Sequence, residues 1–186
     1  MIPPERRWPG PEAPDALTSL ALAARGGDPG ASAALVRATQ ADVWRFVAAL
    51  LDTQVADDLT QETYLRAFRA LPRYEGRSSV RTWLLGIARR ACADHVRALA
   101  RGRRLDTRLA AERADHGTDP AATLAAADLL RRLPPDRRAA FALTQVLGLS
   151  YAEAAEVEAV PVGTIRSRVA RARAELVEAV TNAMAS

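Results

Sequence analysis

Residues 57–97 read DDLTQETYLRAFRALPRYEGRSSVRTWLLGIARRACADHVR, and their pattern decides the fold. Tyr64, Ala67, Phe68 and Leu71 recur at three- and four-residue spacing, which gathers them on one apolar side of a helix. The spacing predicts a helix over about 57–71 that stops at Pro72, because proline has no N–H to continue the backbone ladder. Ser78 or Ser79 offers an N-cap to a longer helix over about 80–104. Nothing in the stretch alternates with the two-residue period of a strand.

The same reading extends in both directions. Upstream, a short helix over 17–25 ends at Gly26-Gly27, and a second over about 31–51 offers Leu35, Trp44, Phe46, Val47, Leu50 and Leu51 to a core. Downstream, Asp119-Pro120 pairs an N-cap residue with proline at the first helical position and opens a helix to Leu133. Pro134-Pro135 separates that helix from one over 136–147, and two more follow over about 151–160 and 162–183. The expected fold is all-α: two small helical bundles, at 17–101 and 120–183, joined by a flexible linker. The linker, 102–119, mixes Arg103, Arg104, Arg108 and Arg113 with Asp106, Glu112, Asp115 and Asp119, and a proline-rich tail over 1–16 reads as disordered.

Charge is sorted along the chain. The 186 residues carry 26 basic and 22 acidic side chains, a net +4, and every basic residue is arginine. Residues 66–104 alone hold 11 arginines against two acids, whereas residues 1–65 and 105–160 are net acidic. Such sorting points to a local polyanion-binding stripe. The lone Cys92 excludes an internal disulfide and, with two histidines, a closed Cys/His zinc site. No glycine-rich phosphate loop or metal cluster is present, so neither catalytic residues, metal nor cofactor is expected and an enzyme is the least favoured class. No apolar run approaches the ~20 residues that span a bilayer, and the N-terminus lacks a secretory pattern; the expectation is a soluble, cytoplasmic protein.

Residues 148–176, GLSYAEAAEVEAVPVGTIRSRVARARAEL, carry a second signal. Ser150 and Glu153 form a capping box, Pro161 ends the helix it starts, and an arginine-rich helix begins within a few residues. Two short helices at a tight turn suit a helix-turn-helix. In the second of them Ile165, Val169, Ala172 and Leu176 point inward, while Ser167, Ala170, Arg171 and Ala174 point outward with Arg166 at the edge. Outward arginines can reach guanine edges or phosphates in a major groove; a solvated arginine-laced surface is the plain alternative. Arg168 and Arg173 flank the stripe and suit phosphates or acids of their own bundle.

The 148–176 stretch resembles region 4 of extracytoplasmic-function (ECF) sigma factors, and 57–97 resembles their region 2, in the family's order. Arg90 stands where many members have Asn, and Val80 where a larger aromatic is frequent. The resemblance implies an alternative sigma factor that binds core RNA polymerase, recognises minus-35 and minus-10 promoter elements and helps open the promoter. It assigns Asp58, Gln61, Glu62 and Leu65 to the clamp of the largest polymerase subunit. Minus-10 DNA falls to Arg73, Tyr74, Gly76, Arg77, Ser78, Ser79, Arg81, Arg89, Arg90 and Arg97, with a flipped-base pocket expected among Tyr74, Gly76, Ser78 and Ser79. Minus-35 DNA falls to Thr164, Arg166, Ser167, Arg168, Ala170 and Arg171. Further implied partners are the flap of the second-largest subunit and an anti-sigma factor, with no membrane and a monomer when free. Two rivals remain: an autonomous helix-turn-helix regulator, which leaves 57–97 without a role, and an adaptor that binds no DNA.

Overall fold

The structure, a computed structural model, describes residues 16–106 and 128–184. The tail over 1–15, the linker beyond residue 106 and the first part of the helix expected over 119–133 lie outside the described residues. Every regular element among the described residues is helical.

Helix α1 (Ala16–Arg25) closes at Gly26-Gly27, where Gly27 takes φ 93°, a left-handed conformation that glycine adopts without strain. Helix α2 (Pro29–Leu50) is capped by Asp28, whose carboxylate accepts from the N–H groups of Gly30 and Ala31 at 2.8 and 3.1 Å. Helix α3 (Thr53–Ala70) starts earlier than its apolar spacing predicts, because Asp52 accepts from the Gln54 N–H at 3.0 Å and caps it there. Pro72 does not stop the chain abruptly; the helix tightens into a 3-10 turn, Leu71–Arg73. Helix α4 (Val80–Asp106) is capped by Ser79, whose hydroxyl accepts from the Thr82 N–H at 3.1 Å. Phe46, Val43, Val47, Val80, Leu84 and Leu85 fill the core of this first bundle.

The second bundle holds helical residues 128–132, α5 (Pro135–Phe141), α6 (Tyr151–Glu158) and α7 (Val162–Met184). The helix expected to run to residue 147 widens instead into a π turn, Ala142–Val146, in which the Leu147 N–H donates to the Ala142 carbonyl five residues back. Gly148, at φ 70°, then redirects the chain. The capping box forms as expected: Ser150 Oγ accepts from the Glu153 N–H at 3.2 Å, and Glu153 accepts from the Ser150 N–H at 2.8 Å. Helix α6 ends at Ala159, left-handed at φ 54° without being glycine, and Pro161 leads into α7. Replacing Ser150 with Ala is expected to cost about 1 kcal/mol, read as a lower urea midpoint at unchanged slope.

The bundles pack against each other, α4 on α6 and α2 on α5, and their buried residues form one continuous cluster. Polar contacts tie the seam. Arg81 donates to Asp42 at 2.7 Å and to the Leu147 carbonyl at 2.7 Å. Arg89 donates to Glu158 at 2.6 Å, and Arg168 lies 3.6 Å from the same carboxylate and 3.1 Å from Asp136. Arg138 donates to the Leu50 carbonyl at 2.8 Å, at the end of α2. Among the described residues no helix is long and apolar enough to cross a membrane.

Candidate nucleic-acid interface

Helix α7 presents the arginine stripe that its periodicity predicts. Ile165, Val169 and Ala172 are buried, which fixes the rotation of the helix, and Arg166, Ser167, Ala170 and Arg171 are left exposed. Neither Arg166 nor Arg171 has an ion-pair partner among the described residues, so both guanidinium groups stand ready for an external anion. Thr164 is half-buried, and its carbonyl accepts from Ser167 Oγ at 2.9 Å. Arg168 is turned inward toward Asp136 and Glu158, away from the stripe. Arg173 donates to Gln145 at 2.7 Å.

The loop before α4 borders an open, shallow cavity of about 260 Å³ lined by Arg73, Tyr74, Glu75, Arg77, Ser78 and Trp83. Tyr74 is buried despite its loop position: its ring lies 4.9 Å from that of Trp83, and its hydroxyl donates to the Ser78 carbonyl at 2.7 Å. Arg25 donates to the Tyr74 carbonyl at 2.8 Å, pinning the loop to α1. Gly76, at φ 72°, makes the turn but does not line the cavity, and Ser79 is spent on the cap. Trp83 and Glu75 are lining residues that sequence reasoning missed. Trp83 sits at helical spacing among core positions, and no local signal marks it as a cavity wall.

The arginines of this segment divide into two sets. Arg73, Arg77, Arg90 and Arg97 are exposed, Arg77 pairing with Glu75 and Arg97 with Asp94. Arg81 and Arg89 are half-buried and held by Asp42 and Glu158 in the seam. On α3, Asp58, Gln61 and Leu65 are exposed, Leu65 at 55%, beside half-buried Glu62. Arg66 donates to Glu62 at 2.8 Å and to Asp94 at 2.6 Å; its guanidinium holds the Asp94 carboxyl below the usual carboxylate range. Phe68, placed on the apolar side by its spacing, is 37% exposed. Cys92 is buried, and burial pushes its thiol up to about 11, so it packs as a small apolar side chain.

Two family models match this chain: Sigma-70 region 2 over residues 35–102 and Sigma-70, region 4 over residues 123–176. It is 51% identical over 165 residues to the ECF RNA polymerase sigma factor SigC of Mycobacterium tuberculosis, a match covering 86% of this chain and 88% of that one. The chain belongs to the ECF sigma factors of the sigma-70 family. As an ECF sigma factor it serves promoter recognition in transcription initiation, and its family is one of transcription regulators. The fold of this sigma factor is similar to CnrH in complex with the cytosolic domain of CnrY, with TM-score 0.73 and 26% identity over 90% of this chain and 99% of that one. It is also similar to RpoE in complex with the anti-sigma factor NepR from Bartonella quintana, with TM-score 0.66 and 27% identity over 78% of this chain and 94% of that one.

Proposed function

We propose that this sigma factor engages polymerase and promoter through three separate surfaces. Asp58, Gln61, Glu62 and Leu65 of α3 dock on the basic clamp of the largest subunit of core RNA polymerase. The cavity before α4 takes an extruded base of the minus-10 element, and Arg73, Arg77, Arg81, Arg89, Arg90 and Arg97 neutralise the phosphates of the melted strand. Gly76, Ser78 and Ser79 shape the loop. Helix α7 reads the minus-35 element through Arg166, Ser167, Ala170 and Arg171, with Thr164 and Arg168 beside it. Residues 17–101 act as the region-2 unit, 102–119 as linker and 120–183 as the region-4 unit, which also meets the flap of the second-largest subunit. The protein is cytoplasmic, a monomer when free, and performs no chemistry.

The observation that carries this reading is the cavity of about 260 Å³ with an aromatic wall, Tyr74 and Trp83, and two guanidinium groups, Arg73 and Arg77, at its sides. A base removed from its stack loses a few kcal/mol of stacking, which an aromatic wall and phosphate contacts can offset. The two similar structures, RpoE in complex with the anti-sigma factor NepR and CnrH in complex with the cytosolic domain of CnrY, support an anti-sigma factor as a further partner.

Run-off transcription with core RNA polymerase and a promoter library tests the reading. The variant Arg166→Ala/Arg171→Ala removes two groove contacts, each worth about 1–3 kcal/mol. Promoter output is expected to fall about thirty-fold or more, with altered promoter choice and an unchanged fold, since both side chains are exposed. Unaltered output and choice would count against the minus-35 assignment, and tight specific duplex binding without polymerase would favour an autonomous regulator.

A further inference from the structure

A second cavity, of about 330 Å³, opens between the two bundles and shares no lining residue with the base-sized one. The end of α2 contributes Leu50, α4 contributes Cys92 and Val96, and α5 contributes Pro135, so its wall is largely apolar. Its volume lies within the roughly 300–1,000 Å³ of small-molecule sites. Three guanidinium groups, of Arg89, Arg97 and Arg138, also line it, and among the described residues no acidic one does.

Two of these cations are already paired, Arg89 with Glu158 and Arg97 with Asp94. Arg138 is different. Among the described residues its hydrogen bonds run to three carbonyl oxygens, those of Leu50 at 2.8 Å, Arg131 at 2.6 Å and Leu133 at 3.0 Å, and its buried Nε has no partner there. No carboxylate lies within ion-pair distance of it among the described residues. Burial, with Arg131 nearby, loosens its hold on its proton, as a desolvated cation without a counter-ion must. A guanidinium has five N–H donors, so Arg138 keeps donors beyond the three in use.

We propose that this cavity binds a small amphipathic anion, a medium-length apolar chain ending in a carboxylate. The carboxylate supplies the counter-charge that Arg138 lacks, through a charge-assisted bond to the remaining Nη1 hydrogen. The apolar chain lies along Leu50, Cys92, Val96 and Pro135, removing their surface from water. A neutral chain leaves Arg138 uncompensated, and a cationic one meets three like charges. Because α2 and α4 form one side and α5 the other, the site exists only while the bundles are closed. Binding therefore holds them closed by linkage.

Isothermal titration of the full-length chain with sodium decanoate tests this, with 1-decanol and decyltrimethylammonium as matched neutral and cationic probes. The expected result is one decanoate per chain, bound at least tenfold more tightly than decanol, and no heat from the cation. Val96 is 46% exposed, so Val96→Trp folds while filling the mouth of the cavity, and is expected to weaken decanoate at least tenfold. Ala93→Leu fills the same space more gently and gives an independent reading should the tryptophan disturb the helix. No decanoate binding, equal binding of decanol, several decanoates per chain, or indifference to both filling variants would each overturn the proposal. The titration needs neither polymerase nor DNA, so its failure leaves the promoter-binding reading untouched.

Discussion

Reversing Asp58 and Glu62 together to arginine is expected to reduce promoter-dependent transcription about a hundred-fold or more. The two carboxylates share one side of α3 with exposed Gln61 and Leu65, on the surface proposed to meet the basic clamp of the polymerase. Reversal places like charges across that interface, a cost of several kcal/mol and so two or more factors of ten in occupancy. The fold should survive. Glu62 gives up its bond to Arg66, but Arg66 keeps Asp94 at 2.6 Å, and a bridge this exposed is worth about 0–1 kcal/mol. The decisive comparison sets run-off yield against holoenzyme formation on a sizing column. Lost transcripts with lost co-elution and normal thermal unfolding place the defect at the docking surface; full co-elution would remove this surface from the polymerase interface.

The second large effect is on the seam. Glu158 is the most enclosed charge there, its side chain 4% exposed between Arg89 at 2.6 Å and Arg168 at 3.6 Å. Glu158→Gln keeps the shape and removes the charge, leaving Arg89 without its counter-ion in the packed bundles. Breaking a pair that is buried only on the glutamate side costs about 1–3 kcal/mol, which moves the closed-to-open balance about five- to a hundred-fold. Arg168 retains Asp136 at 3.1 Å, so the second bundle itself should hold. Small-angle X-ray scattering is expected to show a larger radius of gyration at unchanged helical content. An unchanged radius would mean that the apolar part of the seam closes the bundles without the pair.

The helices were legible because alanine-rich, apolar-periodic segments stand between strong stop signals: Gly26-Gly27, Pro134-Pro135, Pro161 and the Ser150–Glu153 box. The early start of α3 escaped because Asp52 precedes Thr53-Gln54-Val55, which shows no apolar period, so the cap had nothing regular to introduce. The π turn escaped because its extra residue is absorbed by tertiary packing of Ala142, Leu143 and Thr144, all buried. At the candidate interface, the outward stripe of α7 followed directly from the rotation fixed by Ile165 and Val169. Tyr74 did not follow. A tyrosine on a glycine-containing loop reads as exposed, and only the Trp83 ring and the Ser78 carbonyl, met in the folded chain, bury it. The seam could not be read at all. Arg89 and Glu158 are separated by 69 positions, and nothing local distinguishes a half-buried arginine of α4 from its exposed neighbour Arg90.

The two ion-pair clusters, Asp42 with Arg81 and Glu158 with Arg89 and Arg168, also bear on how this protein feels ionic strength. An arginine that reaches a phosphate from open solvent lets the nucleic acid shed a bound cation, and each such contact contributes about 0.9 to the slope of log affinity against log salt. An arginine that must first leave Glu158 or Asp42 breaks one ion pair as it makes another, and salt weakens both, so the two effects oppose. The slope from these side chains is then smaller than that of an arginine free in solvent. If they meet phosphates as proposed, promoter engagement is expected to be less salt-sensitive than the dense arginine content suggests, with the protein's own acids acting as competitors of the nucleic acid.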